Sequence, residues 1–269
     1  MRHSEKLIRS LLSDKCYSSR RGTAEVEDLF EGKIFSFPKP LTLLKDFIKV
    51  GSKEDSIVLD FFSGSATTAH AVMKLNAEDG GQRKFIMVQL PEITDEKSEA
   101  RKAGYNTICE IGKERIRRAG RKVKEEAGIM AQDLDIGFRV LKLDSSNMED
   151  VFYTPDNFNA NNLFTLADNI KTDRTSEDLL FQVMLDLGIE LSATIRSEAL
   201  GGRNVWNVDN GYLMACFDRD VNEATITEIA KQKPVYFVMR DASAANDNVL
   251  DNFDQLFANY SPDTTCKIL

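Results

Sequence analysis

The chain has 269 residues, an ordinary apolar fraction of 42% and a formal net charge of −8, a size that favours two modest domains over one. Cys16, Cys109, Cys216 and Cys266 are scattered and the only imidazoles are His3 and His70, so neither a zinc site nor a disulfide framework is expected. No run approaches a membrane span, and Met1 to Ser13 carries Arg2, Lys6 and Arg9, too charged for a signal peptide; a cytoplasmic protein without membrane contact follows as the expectation.

In chain order, the first patterned segment is Gly32 to Leu41, in which a Lys39-Pro40 step precedes Leu44, Phe47 and Ile48. Proline suits a first helical turn, and the three apolar residues give that helix an inner face. Ile57, Val58 and Leu59 then form an uninterrupted apolar strand, of the kind covered on both faces in a parallel sheet, and Asp60 stands at its carboxyl end. Phe61 to Ala66 breaks into small residues around Gly64, and a helix opens at Thr67 and ends at Asp79-Gly80-Gly81. Lys84 to Leu90 reads as a second buried strand running into Pro91-Glu92. A helix from about Asn106 to Glu126 bears Lys113, Arg115, Arg117, Arg118, Arg121, Lys122 and Lys124, with Ile108, Ile111 and Ile116 as its inner stripe. Such a cluster can track phosphates, but a solvated helix face diluted by glutamates is the commoner meaning of a charge run, and the acidic net charge is not that of a DNA-binding surface.

Turn formers crowd the stretch from Asp144 to Asn162, so a first domain is expected over 1–150, a linker over 151–162 and a second domain over 163–269. In the second, Thr175 with Asp178 resembles a capping arrangement before a helix ended by Gly188, and Ile189 to Ile195 alternates like a strand. Val205 to Val208 and Gly211 to Phe217, joined at Asp209-Asn210, read as a hairpin. A helix over about 223–232, a strand over 235–239, a helix around 252–259 and a last strand over 266–269 complete a small α/β unit with no cofactor loop. Arg240-Asp241 reads as a solvated turn, and His70 as a packed residue, so neither is assigned to catalysis.

The strand, loop and helix around Asp60 outline a nucleotide-cofactor site, because Gly64 permits close approach and the first amides of the helix attract an anion. A dinucleotide fingerprint needs three glycines and a P-loop needs Gly-Lys-Ser/Thr; the loop has only Gly64 and no lysine, which disfavours NAD and ATP. Asp60-x-Phe62-x-Gly64-Ser65-x-Thr67-Thr68 instead resembles motif I of the amino-methyltransferases of DNA bases, and Lys39-Pro40 resembles their motif X. With Gly137 to Asn147 further on, the chain resembles the modification subunit of type III restriction-modification systems over nearly its whole length, from Arg20-Arg21-Gly22-Thr23 to the last strand.

That resemblance implies an α/β, Rossmann-like S-adenosylmethionine-dependent methyltransferase fold, here its cofactor half, followed by a small α/β domain. It also implies methyl transfer from S-adenosylmethionine to adenine N6 in DNA, a restriction subunit as partner and a carboxyl-terminal domain that dimerises. Lys39, Pro40, Asp60, Phe62, Ser63, Gly64, Ser65, Thr67 and Thr68 are the implied cofactor residues, Lys39 with its charge toward the methionine carboxylate; Gln89 or Glu92 would touch the ribose. Ala66 departs from a second glycine usual in the family, where a methyl group would crowd the ligand or change the backbone angle. The family's catalytic Asp-Pro-Pro-Tyr loop lies before motif X, yet none of the six prolines here is adjacent to another. No catalytic residue is therefore assigned, and the chain alone is expected not to methylate DNA. The rival expectation is a non-catalytic assembly module attached to a vestigial cofactor fold; a small-molecule methyltransferase is a third class, disfavoured by the Lys39-Pro40 segment.

Overall fold

The computed structural model describes residues 11–128, 133–149, 169–245 and 247–269; the expected linker 151–162 and residues 1–10 lie outside them. The chain divides into two compact units, Met1–Leu141 and Lys142–Leu269. Asp144 to Asn147, expected with the first domain, are held by the second: Arg174 pairs with Asp144, and Asn147 donates from its side-chain amide to the Asp178 carbonyl and from its backbone N–H to the Gln182 side-chain oxygen.

In the first unit α1 (Ser19–Phe30) is capped by the Ser18 hydroxyl, which accepts from Arg21 N, and buries Val26 and Phe30. α2 (Leu41–Gly51) begins after Pro40, which is its N-cap rather than part of its first turn. Proline offers no capping side chain, so the Glu25 carboxylate of α1 accepts the Leu41 N–H at 2.8 Å. β1 (Ile57–Asp60) pairs in parallel with β2 (Lys84–Met87), Val58 opposite Phe85 and Leu59 opposite Ile86. Between them α3 (Thr67–Asp79) is buried on almost every side. Its Ala69 and Met73 pack with Ile116 and Ala119 of α5 (Ile108–Ala127), while Ala71, Val72 and Leu75 pack with Ile48 of α2 and Val58 of β1. Each of Val72, Met73 and Leu75 contributes about 1.5–3 kcal/mol by burial. A short α4 (Glu99–Lys102) precedes α5.

Two strands that read as buried on both faces are covered on one only. Val58, Phe85 and Met87 turn toward the helices, whereas Ile57, Leu59, Ile86, Val88 and Leu90 are exposed, as are Phe61 and Phe62 beyond β1. An apolar run specifies a strand that wants cover on both sides, but it does not bring the covering element.

The end of α3 is fixed to the start of β2 by side chains. Asn76 Nδ2 donates to the Arg83 carbonyl at 2.9 Å, Arg83 N donates back to Asn76 Oδ1, and Arg83 pairs with Asp79 at 3.0 Å. Gly80, at φ +73°, terminates the helix.

In the second unit α6 (Ser176–Asp186) carries the expected capping box: Asp178 Oδ2 accepts the Thr175 N–H and Thr175 Oγ1 accepts the Asp178 N–H. β3 (Ile195–Leu200), β4 (Arg203–Val208), β5 (Leu213–Cys216), β6 (Tyr236–Met239) and β7 (Thr265–Ile268) form one sheet in chain order. The first two pairings are antiparallel and the last two parallel. The expected hairpin is β4–β5, with Asp209 and Asn210 both at positive φ as its tight turn requires. α7 (Glu223–Lys231) and α8 (Asp247–Tyr260) cover one face, where Phe237, Phe253 and Phe257 stack at 5.2–5.7 Å; α6 covers the other.

Ile189 to Ile195 is not the expected strand; β3 begins where that run ends. Ile189, Leu191, Ala193 and Ile195 all pack on the α6 side of the core, so their alternation records anchoring of an irregular segment rather than a ladder.

Candidate functional site

The loop between β1 and α3 is braced from three directions. From the β2 side, Val88 donates to the Asp60 carbonyl at 2.8 Å, Ser63 N donates to the Val88 carbonyl at 3.2 Å, and Gln89 Oε1 accepts the Gly64 N–H at 2.8 Å. Within the loop, Thr68 Oγ1 donates to Asp60 Oδ2 at 2.5 Å, which ties the end of β1 to the first turn of α3. From α5, Arg115 Nη1 donates to Ser65 Oγ at 2.8 Å and to Thr67 Oγ1 at 2.6 Å.

Two residues of the loop lie in the left-handed region, Gly64 at φ +52° and Ala66 at φ +59°. Glycine takes this conformation freely; for alanine it costs roughly 1–2 kcal/mol. A side chain at Gly64 would meet the Phe35 ring at 3.3 Å, which places the segment leading to Lys39 against the loop. Ala66 keeps the backbone that glycine would favour, and its methyl group is buried with Ala69, Met73, Ile116 and Ala119. The methyl therefore packs into the core. On α5, a Cβ at Gly112 would lie 3.4 Å from the Gly64 carbonyl oxygen, so this helix approaches the loop backbone closely.

Asp60, Ser63, Gly64, Ser65, Thr67, Thr68 and Gln89 are thus joined in one hydrogen-bonded unit, with Gln89 spending its carbonyl oxygen on the loop. Ser65, Thr67 and Thr68 are buried, Pro40 is buried at the start of α2 beside an exposed Lys39, and Phe62 is 78% exposed. Glu92 is exposed beyond β2.

The basic cluster of α5 is largely consumed by structure. Arg118 and Arg117 pair with Glu114 and lie over the Phe30 and Phe138 rings, Lys122 pairs with Asp28, and Lys124 donates to the Leu134 carbonyl. Arg115 is fully buried. Burial lowers its pKa to about 10, opposed by Glu25, which leaves it protonated at neutral pH. Periodicity held the signal for it, since Arg115 falls four residues after Ile111 on the inner stripe; counting charges alone hides that position. His70 is buried, and desolvation together with Arg115, Lys74 and Lys122 lowers its pKa to about 3, so it is neutral. It lines a cavity of about 180 Å³ with Glu25, Leu29, Leu41 and Lys74, apart from the loop residues.

The first unit is similar to DNA methylases: residues 3–125 match the DNA methylase family. Among curated proteins the chain is 48% identical over 126 residues to the StyLTI modification subunit of a type III restriction-modification enzyme of Salmonella typhimurium, covering 47% of this chain. It is 42% identical over 125 residues to the EcoPI modification subunit of Escherichia phage P1 and 40% identical over 147 residues to the EcoP15I modification subunit of Escherichia coli. These alignments cover 46% and 52% of this chain. The similarity therefore spans about half of the chain, less than the near-whole resemblance read from its motifs. The chain spans 19–23% of the length of these three relatives.

Proposed function

We propose that the first unit is the S-adenosylmethionine-binding part of a Rossmann-like adenine-N6 DNA methyltransferase of a type III restriction-modification system, and that it does not complete the reaction alone. The braced loop at Asp60 to Thr68 carries this reading. Its donor set fits the methionine part of the cofactor: first-turn amides of α3 have no intrahelical acceptor, and Gly64 and Ala66 hold the backbone in the curve that lets a ligand approach. When bound, S-adenosylmethionine supplies an electrophilic methyl group on its sulfonium.

This chain's own residues then bind and orient. The amides of α3 and the hydroxyls of Ser65 and Thr67 are suited to the methionine carboxylate, and Lys39, exposed just before α2, would add positive charge. Asp60, engaged by Thr68, shapes the loop. Because Gln89 is engaged by Gly64, Glu92 is the better ribose candidate of the two. The incompleteness is supported by the uncovered apolar face of β1 and β2, the surface a complementing part of the enzyme would cover. DNA and a restriction subunit are proposed as partners of the complete enzyme, and the second unit, with no such loop among its described residues, as its assembly domain and dimer contact.

Titration calorimetry with S-adenosylmethionine tests the cofactor reading: binding at micromolar concentration is expected, and no heat at millimolar ligand would end it. Turnover by this chain alone on unmodified DNA would end the incompleteness reading. Light scattering across concentration tests the dimer.

A further inference from the structure

Arg115 occupies a position where an apolar residue would pack more cheaply. It lies on the inner stripe of α5 beside Ile111, Ile116 and Ala119, has no solvent exposure, and pairs with no carboxylate among the described residues. Its Nε and Nη2 have no hydrogen-bond partner among the described residues. A guanidinium removed from water on these terms weakens the fold, so packing alone does not account for it.

Both of its hydrogen bonds go to the loop, and they fall on either side of Ala66. Ser65 and Thr67 flank the one non-glycine residue of the loop at positive φ, and a single nitrogen, Nη1, reaches both hydroxyl oxygens. Each hydroxyl spends a lone pair on Arg115 and keeps its proton to donate, which suits both to an acceptor such as a carboxylate. The charge also lies directly behind the amino-terminal end of α3, adding to the positive end of the helix dipole.

We propose that Arg115 is a positioning residue of the cofactor loop: it clamps Ser65 and Thr67 across the left-handed Ala66, orients both hydroxyls as donors and adds positive charge beneath the carboxylate site. This role at the ligand rests on the cofactor reading above, but the clamp itself is a property of the chain without ligand. The test therefore has two readouts, backbone amide exchange over residues 63–68 without ligand and S-adenosylmethionine affinity by calorimetry. Arg115→Met should melt at or above the wild-type temperature, because a buried charge is removed, while exchange at Ser63, Gly64 and Ala66 rises at least tenfold. Affinity should fall at least tenfold. In the Arg115→Met background, adding Ser65→Ala and Thr67→Val should change loop exchange by no more than twofold, because the arginine clamps the loop through those hydroxyls, while affinity falls further because the hydroxyls themselves face the ligand carboxylate.

Unchanged loop exchange in Arg115→Met, or additive effects of the three substitutions on that exchange, would overturn the proposal. If the wild-type chain binds no S-adenosylmethionine, the cofactor reading fails, and the exchange comparison still decides whether Arg115 clamps the loop. If Arg115→Met does not fold, Arg115→Gln and the Ser65→Ala/Thr67→Val pair carry the same comparison; wild-type exchange in that pair overturns the clamp.

Discussion

The two units build sheets from similar sequence and finish them differently. In the second unit β5 is buried at every residue, with helices on both faces. In the first, β1 and β2 alternate between packed and exposed residues although three of the four residues in each are apolar. Local composition thus states a demand for cover, and only the second unit meets that demand from its own chain. The first leaves Leu59, Ile86 and Val88 as an open surface beside the loop from Asp60 to Thr68.

The contrast is broken most severely from inside the second unit. Phe237→Ala removes the ring at the centre of the Phe237, Phe253 and Phe257 stack and should cost about 3–5 kcal/mol. Trp206 is the only tryptophan of the chain and lies on β4, so its fluorescence in urea reports the second unit. The expected result is a lower midpoint by fluorescence with unchanged S-adenosylmethionine binding; equal loss of both would show that the units do not fold independently.

A smaller effect is expected at the capping box of α6. Thr175→Ala should cost about 1 kcal/mol at neutral pH. Hydrogen bonds from the Thr175 N–H and hydroxyl hold the Asp178 carboxyl below its ordinary pKa, so the stabilisation is complete above the unfolded-state value and disappears as pH falls through the folded one. The difference in melting temperature between wild type and Thr175→Ala should therefore narrow between neutral pH and pH 2.5. A constant difference would place the effect in the hydroxyl's bond to the Asp178 N–H alone.

The smallest effect sharpens the comparison. Leu59→Ser lies on the open face and should change the stability of this chain by less than about 0.5 kcal/mol, measured by urea unfolding, while reducing its tendency to aggregate. A loss of several kcal/mol would mean that the face is covered in solution by this chain itself.

Much of the fold was legible because local rules sufficed. Thr175 and Asp178 announced the start of α6, Asp209-Asn210 announced the β4–β5 turn, and Gly80 announced the end of α3. At Ile189 to Ile195 the same rules misled, since alternation marks alternate burial and not hydrogen bonding to a neighbour. The loop from Asp60 to Thr68 was legible as a break between strand and helix. Its bracing was not, because Gln89 and Arg115 reach it from 25 and about fifty residues away in sequence.

By itself the sequence determined the order of strand, loop and helix, the residues that form the loop and the change of character near the middle of the chain, all of which follow from short-range propensity and periodicity. Tertiary structure decided which charges are buried, which hydroxyls Arg115 engages, that the Ala66 methyl turns into the core and that one face of the β1–β2 sheet stays open. Those outcomes depend on which distant segments meet, and a residue's neighbours in space are not fixed by its neighbours in the chain.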